Sequence, residues 1–310
     1  MSAPIVVDRV SKWFGDTVAL GDVSFSIDPG VTGLLGHNGA GKSTLLKVLA
    51  GFSHPDEGTV RLCDGDPTTD LDVFRRVGIA PDGDGLWPQM TARTAVAACA
   101  RMRGVADVSG ATDAALRRVD LVDAADRRLS GFSKGMKQRI KLAQALVHDP
   151  EVLLLDEPLN GLDPAQRRDM IDLVVQLGSE GRTVLVSSHQ LHEVERMAPR
   201  VVVLVNGRLV AEGTTAGIRD LLAERPRGMR IRVDAPNEVA RALFGEALVS
   251  SIKLDNGDLV AETVDAAAVA RRLPQLTQEI GTHLRLVEPV GDDLESVFEH
   301  LTSRARGVGR

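Results

Sequence analysis

Short apolar runs of strand length recur along the first 210 residues and alternate with stretches whose apolar residues have helical spacing. The runs at residues 31–35, 152–155, 183–187 and 201–205 are almost wholly apolar. Runs of this length are typical of strands buried on both faces, as in a parallel sheet. The helical stretches between them, at residues 136–147 and 164–178, would cover that sheet. The pattern therefore predicts an α/β fold for this part of the chain.

Two regions near the N-terminus have a different pattern. Residues 5–28 alternate between apolar and polar positions, which predicts a β-rich N-terminal part. Residues 88–135 are rich in alanine and arginine, and their apolar residues recur at helical spacing. That spacing predicts a small helical subdomain inserted beside the sheet.

The pattern restarts after a linker at residues 223–228. It includes a hairpin around Asn256-Gly257 and a last helix at residues 294–302. We therefore expect two domains, at residues 1–222 and 228–310. The second is predicted to be a small α+β domain, in which we identify no catalytic pattern.

A glycine-rich stretch follows the first buried run. It fits the pattern G-x-x-x-x-G-K-[ST] and consists of Gly36, His37, Asn38, Gly39, Ala40, Gly41, Lys42, Ser43 and Thr44. Glycines let backbone N–H groups turn toward phosphates, Lys42 would reach the β- and γ-phosphates, and the Ser43 hydroxyl would bind Mg²⁺. The alternative is an ordinary turn with a surface lysine. The predicted strand before it and helix after it favour a nucleotide site.

Two carboxylates, Asp156 and Glu157, directly follow the apolar run at residues 152–155. The carboxyl ends of parallel strands form the edge where α/β sheets bind ligands. At that edge Asp156 can hold Mg²⁺, directly or through water. Glu157 is the natural general base for an attacking water. An Asp-Glu pair alone usually marks only a turn, and it is the phosphate loop upstream that favours this chemistry.

Composition and charge narrow the possible partners. The chain is 43% hydrophobic and 26% charged, with a net charge of −6, as expected of an ordinary soluble protein that does not coat nucleic acid. Its two cysteines, Cys63 and Cys99, lack metal-ligand spacing and are expected to be reduced thiols. We see neither a secretion signal nor an apolar run of about 18 residues, so we expect a cytoplasmic protein that reaches a membrane only through a partner.

Together these motifs resemble the ATP-binding-cassette (ABC) family of ATPase subunits, over the first two-thirds of the chain. The family's signature segment is matched by Phe132-Ser133-Lys134-Gly135-Met136, which leads straight into a predicted helix. The upstream Leu129-Ser130-Gly131 copies the opening of the motif, but the residues after it do not continue it. Asn160-Gly161-Leu162-Asp163 is similar to the loop that communicates across the family's dimer, although Asp163-Pro164 would also start a helix well.

The resemblance implies a P-loop NTPase fold with an ABC-type helical subdomain, and it assigns roles to further residues. Phe14 would stack on adenine, although a core aromatic is the alternative. His189 would sense the γ-phosphate and hold the attacking water. Ser133 and Gly135 would contact the γ-phosphate bound by the other subunit of a head-to-tail homodimer. Lys42, Glu157 and His189 are then the catalytic residues, with ATP and Mg²⁺ as the bound cofactors.

One position departs from the family pattern. Asp82 stands where the family usually has Gln, between the strand at residues 77–80 and the helical subdomain. A carboxylate there can approach Mg²⁺ together with Ser43 and Asp156, but it would repel the γ-phosphate unless the metal screens it. We expect hydrolysis to be slowed or retuned, and the hinge to the membrane partner to be changed.

The resemblance is strongest to the drug- and antibiotic-exporter branch, the daunorubicin-resistance-like subunits. It implies an ATPase that energises a separate polytopic membrane subunit from the inner face of the cell membrane. One alternative is a soluble ABC-type ATPase that acts on nucleic acid or ribosomes. The single cassette and the short interval between Lys42 and Ser133 argue against it. Another is a P-loop kinase, in which the signature segment and His189 would have no role.

Overall fold

The computed structural model describes residues 3–83, 85–218 and 227–290. The chain divides into two compact units, Met1–Thr215 and Ala216–Arg310. The predicted linker lies largely outside the described residues, and the predicted last helix lies wholly outside them. The limits 1–222 and 228–310 therefore stay a prediction.

The first unit is built on a six-stranded sheet in the order β5-β6-β7-β3-β8-β9. Its strands are β3 (Gly30–Leu35), β5 (Val77–Ala80), β6 (Val152–Leu155), β7 (Thr183–Ser188), β8 (Arg200–Val205) and β9 (Arg208–Thr214). All neighbours are parallel except β8 and β9, which form a hairpin. Every residue of β6 and β7 is buried, as the apolar runs predict for strands covered on both faces.

A second, antiparallel sheet completes the β-rich N-terminal part. It has the order β2-β1-β4, from β1 (Ile5–Phe14), β2 (Thr17–Ile27) and β4 (Glu57–Leu62). Alternate side chains of these strands, among them Val7, Phe25 and Val60, join one core cluster with Leu34 and Leu185 of the main sheet. Both sheets therefore share a hydrophobic core. This core stabilises the carboxyl end of β3, where the phosphate loop begins.

Six helices of the first unit have described bounds. They are α1 (Lys42–Leu49), α2 (Ala92–Met102), α3 (Val108–Arg118), α4 (Lys134–Leu146), α5 (Pro164–Ser179) and α6 (Leu191–Met197). Side chains of Thr91, Ser133 and Asp163 accept backbone N–H groups at the starts of α2, α4 and α5. Helices α2 and α3 lie within the predicted helical subdomain and pack on α4. No helix among the described residues has both the length and the apolar character needed to cross a membrane.

The cysteines behave as the sequence predicts. Cys63 is buried, Cys99 is partly buried, and neither is in a disulfide. Burial raises the pKa of both thiols, which keeps them protonated at neutral pH. They are therefore structural residues with little thiolate character.

The second unit is an α+β arrangement with a mixed helix and strand order. It consists of β10 (Arg227–Val233), α7 (Pro236–Gly245), β11 (Ser251–Asp255), β12 (Asp258–Thr263), α8 (Ala266–Ile280) and β13 (Leu284–Val290). The strands form an antiparallel sheet in the order β11-β12-β10-β13. This strand order and the βαββαβ succession of elements are those of ferredoxin-like domains. Ile231, Leu259, Val239 and Leu273 are fully buried and form its core. The predicted α+β class is thus observed, and so is the hairpin at Asn256-Gly257.

Candidate functional site

The phosphate loop leaves β3 and enters α1 through a backbone that only glycine allows at some positions. Gly39 and Gly41 have φ angles of 84° and 103°, in the left-handed region that side chains disfavour. A Cβ on Gly36 would lie 2.6 Å from the carbonyl oxygen of Leu204, and one on Gly41 would lie 2.7 Å from that of Ala19. The glycines therefore fix a loop that wraps closely around the start of α1, where backbone N–H groups can bind an anion.

Lys42 is held at the centre of this loop. Its Nζ donates to the carbonyl oxygens of Gly36 and His37, at 2.7 and 3.2 Å. The same Nζ lies 3.3 Å from Oε1 of Glu157, and the lysine side chain is only 6% exposed. Burying an ammonium group is costly without such partners. The loop thus presents one fixed positive charge toward the carboxyl end of β6.

Glu157 is aimed into the site by a sharp turn at the end of β6. Its φ is 46°, a left-handed conformation that is unfavourable for a residue with a side chain. The Glu157 N–H donates to Ser187 Oγ at 2.8 Å, and that hydroxyl donates to Asp156 Oδ1 at 2.7 Å. Ser187 therefore stabilises the turn and sends the two neighbouring carboxylates in different directions.

His189 completes the group from the end of β7. Its Nδ1 lies 2.9 Å from Glu157 Oε2, and Gln190 Nε2 lies 3.1 Å from its Nε2. A carboxylate accepts only and an amide N–H₂ donates only, so the network assigns the proton of the neutral ring to Nδ1. The three predicted catalytic residues therefore form a series of contacts, in which Glu157 contacts both Lys42 and His189.

These groups line one cavity of about 450 Å³. Its walls are formed by Thr17, Val18, Ala19, Asn38, Gly39, Gly41, Lys42, Ser43, Thr44, Asp82, Glu157, Asn160 and His189. The carboxyl ends of four neighbouring parallel strands, β5, β6, β7 and β3, converge here, as expected for ligand sites of α/β sheets. The sequence did not predict Thr17, Val18 and Ala19 on β2 as cavity residues. Alternation of polar and apolar residues predicts which face of a strand is exposed, but not which ligand or residue that face contacts.

The three predicted metal ligands lie together at one side of the loop. Ser43, Asp82 and Asp156 all line an adjoining cavity of about 80 Å³. Within the described residues, no group of three or more His, Cys, Asp or Glu side chains could hold a metal by itself. One hydroxyl and two carboxylates suit Mg²⁺, which keeps several waters and takes its other ligands from substrate phosphates. The residues present therefore fit Mg²⁺ bound together with a nucleotide.

Phe14 is not among the cavity walls. It ends β1, is 56% exposed, and its ring centroid lies 5.6 Å from Lys12 Nζ. Across the turn it pairs with Thr17, which does line the cavity. The ring is therefore exposed beside the site and is not a core residue, and its stacking on adenine stays a prediction.

Ser133 and Gly135 are likewise not brought to this chain's own phosphate loop. Ser133 starts α4, where its Oγ accepts the Met136 N–H at 3.3 Å. Gly135 packs so closely on Gln166 that a Cβ would lie 2.2 Å from Oε1 of that residue. Ser133 caps α4, whereas Leu129–Gly131 forms a separate 3₁₀ turn; the assignment of Ser133 and Gly135 to the signature segment stays a prediction. If Ser133 and Gly135 contact a nucleotide, it would be one bound by another subunit.

The sequence did not predict the ion pair between Glu193 and Arg167, which lies near His189. Glu193 on α6 is 2% exposed. Its Oε2 accepts the Ser188 hydroxyl at 2.7 Å, and its Oε1 lies 3.2 Å from Arg167 Nη1 on α5. Ser188 Oγ in turn accepts the Gln190 N–H at 3.0 Å. The only available signal was a glutamate on the apolar face of a short helix, which by itself indicates no role.

This network leads to a prediction for Glu193→Gln. The amide would weaken the link to Arg167 and loosen the turn that holds His189, so we expect kcat to fall about tenfold while the affinity for ATP stays within about twofold. Steady-state kinetics with separate determination of kcat and KM would check it. Glu195→Gln, an exposed glutamate of the same helix, is the matched control. Equal losses in kcat and ATP affinity would instead indicate a general structural role.

Comparisons with known proteins agree with this geometry. The family model described as ABC transporter matches residues 20–160. The Nod factor export ATP-binding protein I of Paraburkholderia xenovorans is 36% identical over 306 residues, which cover 97% of this chain and 98% of that protein.

Solved structures show the same similarity over the first unit. An ATP-binding subunit of an ABC transporter superposes with a TM-score of 0.65 at 28% identity, covering 71% of this chain and 93% of that one. CbiO1 from Clostridium perfringens, part of the ABC transporter complex CbiONQ, gives 0.64 at 26% identity, with 72% and 94% covered. Together with the relative matched along almost its whole length, they confirm the predicted fold and resemblance. The chain belongs to the ABC transporter family, as an ATP-binding subunit whose hydrolysis of ATP energises a separate membrane component.

Proposed function

We propose that this chain hydrolyses ATP with Lys42, Glu157 and His189 and, as a homodimer, drives export by a polytopic membrane subunit. The observation that carries the proposal is the contact series Lys42–Glu157–His189 at the mouth of the phosphate loop. A cation, a carboxylate and an imidazole in contact there can bind the phosphates and position and deprotonate an attacking water.

The Lys42–Glu157 contact stands where the γ-phosphate would lie. A bound nucleotide supplies a stronger anion than one carboxylate, so Lys42 would turn from Glu157 to the β- and γ-phosphates. Glu157 is then free to accept the proton of an attacking water. His189 Nδ1 stays bonded to Glu157. Its Nε2 could donate to a γ-phosphate oxygen only as an imidazolium, since the proton of the neutral ring lies on Nδ1. Mg²⁺ held near Ser43, Asp82 and Asp156 would neutralise phosphate charge.

The position of the signature segment supports a head-to-tail dimer. Ser133 and Gly135 are not among the residues that line the chain's own nucleotide cavity, so in this proposal they complete the site of a second copy. Two ATP molecules would be bound between the subunits, each between one phosphate loop and one Ser133–Gly135 segment. ATP binding would close the dimer, and hydrolysis would open it.

Export is proposed because the similar protein of Paraburkholderia xenovorans is a Nod factor export ATP-binding protein. In this arrangement the transported substrate is selected by the membrane subunit. A role in drug or antibiotic export, as the sequence resemblance suggested, stays a prediction. The subunit would act at the inner face of the cell membrane, with no nucleic acid as a partner, in keeping with its net charge of −6.

A pull-down from membranes in mild detergent tests the proposed partner. Tagged Glu157→Gln with ATP should hold the closed dimer and retain a polytopic membrane protein in stoichiometric amount, and omission of ATP is the control. The recovered protein would then be tested for ATP-dependent export in vesicles. Recovery of ribosomes or nucleic acid, or of the chain alone, would contradict the proposal and favour a soluble ATPase.

A further inference from the structure

A second cavity lies directly beside the nucleotide cavity and is lined by lysines. Its volume is about 190 Å³, and its lining includes Lys134, Lys137, Lys141, Asp82 and Asn160. Asp82 and Asn160 line the nucleotide cavity as well. The two cavities therefore meet at these side chains, next to the place where the γ-phosphate is cleaved.

The lysines come from one face of α4. Positions 134, 137 and 141 are three and four residues apart, which places them in one row along a helix. Lys141 is only 7% exposed and already has an interaction within the protein, so Lys134 and Lys137 are the lysines of this row that a ligand would meet. Lys134 lies within the predicted signature segment, whereas the sequence assigns Lys137 and Lys141 no role.

The charges of this cavity suit an oxyanion. Among the described lining residues, three lysine ammonium groups outnumber one carboxylate. A phosphate carries up to about two negative charges at neutral pH and offers acceptor oxygens for every lysine. The amide of Asn160, at the junction of the two cavities, can donate to the same oxygens.

We propose that this cavity takes the inorganic phosphate released by hydrolysis and holds it on its way out of the closed dimer. The inference rests on the proposed function, in which a second subunit covers the outer mouth of the nucleotide cavity. Phosphate freed beside Glu157 then leaves past Asn160 toward Lys137. The reaction itself is unchanged: water and ATP give ADP and phosphate.

Because Asp82 lines both cavities, it also affects a phosphate bound in the lysine cavity. Where Mg²⁺ does not screen it, its carboxylate repels a phosphate in the lysine cavity and so shortens the time for which the product stays bound. The lysines and Asp82 therefore act in opposite directions on one ligand. Substitutions on the two sides of the cavity should shift product inhibition with opposite signs.

The test is inhibition of the full-length protein's ATPase activity by added inorganic phosphate, with each variant compared with its own rate without phosphate. We expect phosphate to inhibit without competing with ATP. We expect Lys137→Gln to raise the inhibition constant about tenfold, the effect of losing one charge-assisted hydrogen bond. Asp82→Asn should lower it several-fold. Lys253→Gln, an exposed lysine of the second unit with the same charge change, should leave it unchanged.

Binding of ³²P-phosphate by equilibrium dialysis, in the presence of ADP and Mg²⁺, gives a readout that does not depend on turnover. The order of affinities should be Asp82→Asn above parent above Lys137→Gln. Inhibition that competes with ATP and does not respond to Lys137→Gln would overturn the inference, because phosphate would then bind only at the γ position. Absence of ATP hydrolysis, or hydrolysis that survives Glu157→Gln, would instead overturn the proposed catalytic roles.

Discussion

Glu157→Gln is expected to lower kcat for ATP hydrolysis by about 10²–10⁴-fold, the contribution typical of a positioned general base. An amide cannot accept the proton of the attacking water, but the Gln side chain has nearly the same size and shape as the Glu side chain. Its oxygen can still face Lys42 Nζ, 3.3 Å from Oε1 in the parent. Its N–H₂ can donate to His189 Nδ1, because a neutral imidazole can shift its proton to the other nitrogen. The site should therefore stay assembled.

The measurement is the rate of phosphate release at saturating ATP, together with equilibrium binding of ATP. We expect affinity to be retained and the ATP-bound dimer to persist in size-exclusion chromatography. Glu57→Gln, an exposed glutamate at the start of β4, is the matched control and should hydrolyse ATP like the parent. A parent-like rate in Glu157→Gln would remove Glu157 from the mechanism.

Lys42→Ala is expected to weaken ATP binding by about 10–100-fold, since it removes the charge-assisted hydrogen bonds to the phosphates. The ammonium is also part of the loop, because it satisfies the carbonyl oxygens of Gly36 and His37. Loss of these bonds is expected to lower the free energy of unfolding by about 1–3 kcal/mol. Both effects follow from one side chain that is 6% exposed at the centre of the loop.

Equilibrium binding of a fluorescent ATP analogue and thermal unfolding without nucleotide would measure the two effects separately. Lys253→Ala, at an exposed lysine of the second unit, is the control, and it should bind ATP normally. Tight binding of ATP by a stable Lys42→Ala would show that the backbone N–H groups of the loop are sufficient. The proposed movement of Lys42 from Glu157 to the phosphates would then be wrong.

The parts of this protein whose chemistry is local could be predicted from the order of its residues alone. The phosphate loop is recognisable because its glycines, Lys42 and Ser43 act within nine consecutive residues. The buried strands are recognisable because continuous apolar runs have few other uses. Asp156 and Glu157 could be placed at the sheet edge because the end of a strand fixes where the next residues lie.

Which distant residues act together depends on how the elements pack in the folded chain. Ser187 joins Asp156 and Glu157, and the buried Glu193 holds the turn before His189 through Ser188. The lysine cavity forms because α4 packs beside Asp82 and Asn160. Contacts of this kind depend on the packing of elements far apart in the chain, and a hydrogen bond or a shared cavity leaves no periodic pattern in the sequence. Propensity and spacing therefore predict the elements and the loop, whereas the packing of side chains between elements determines the assembled site.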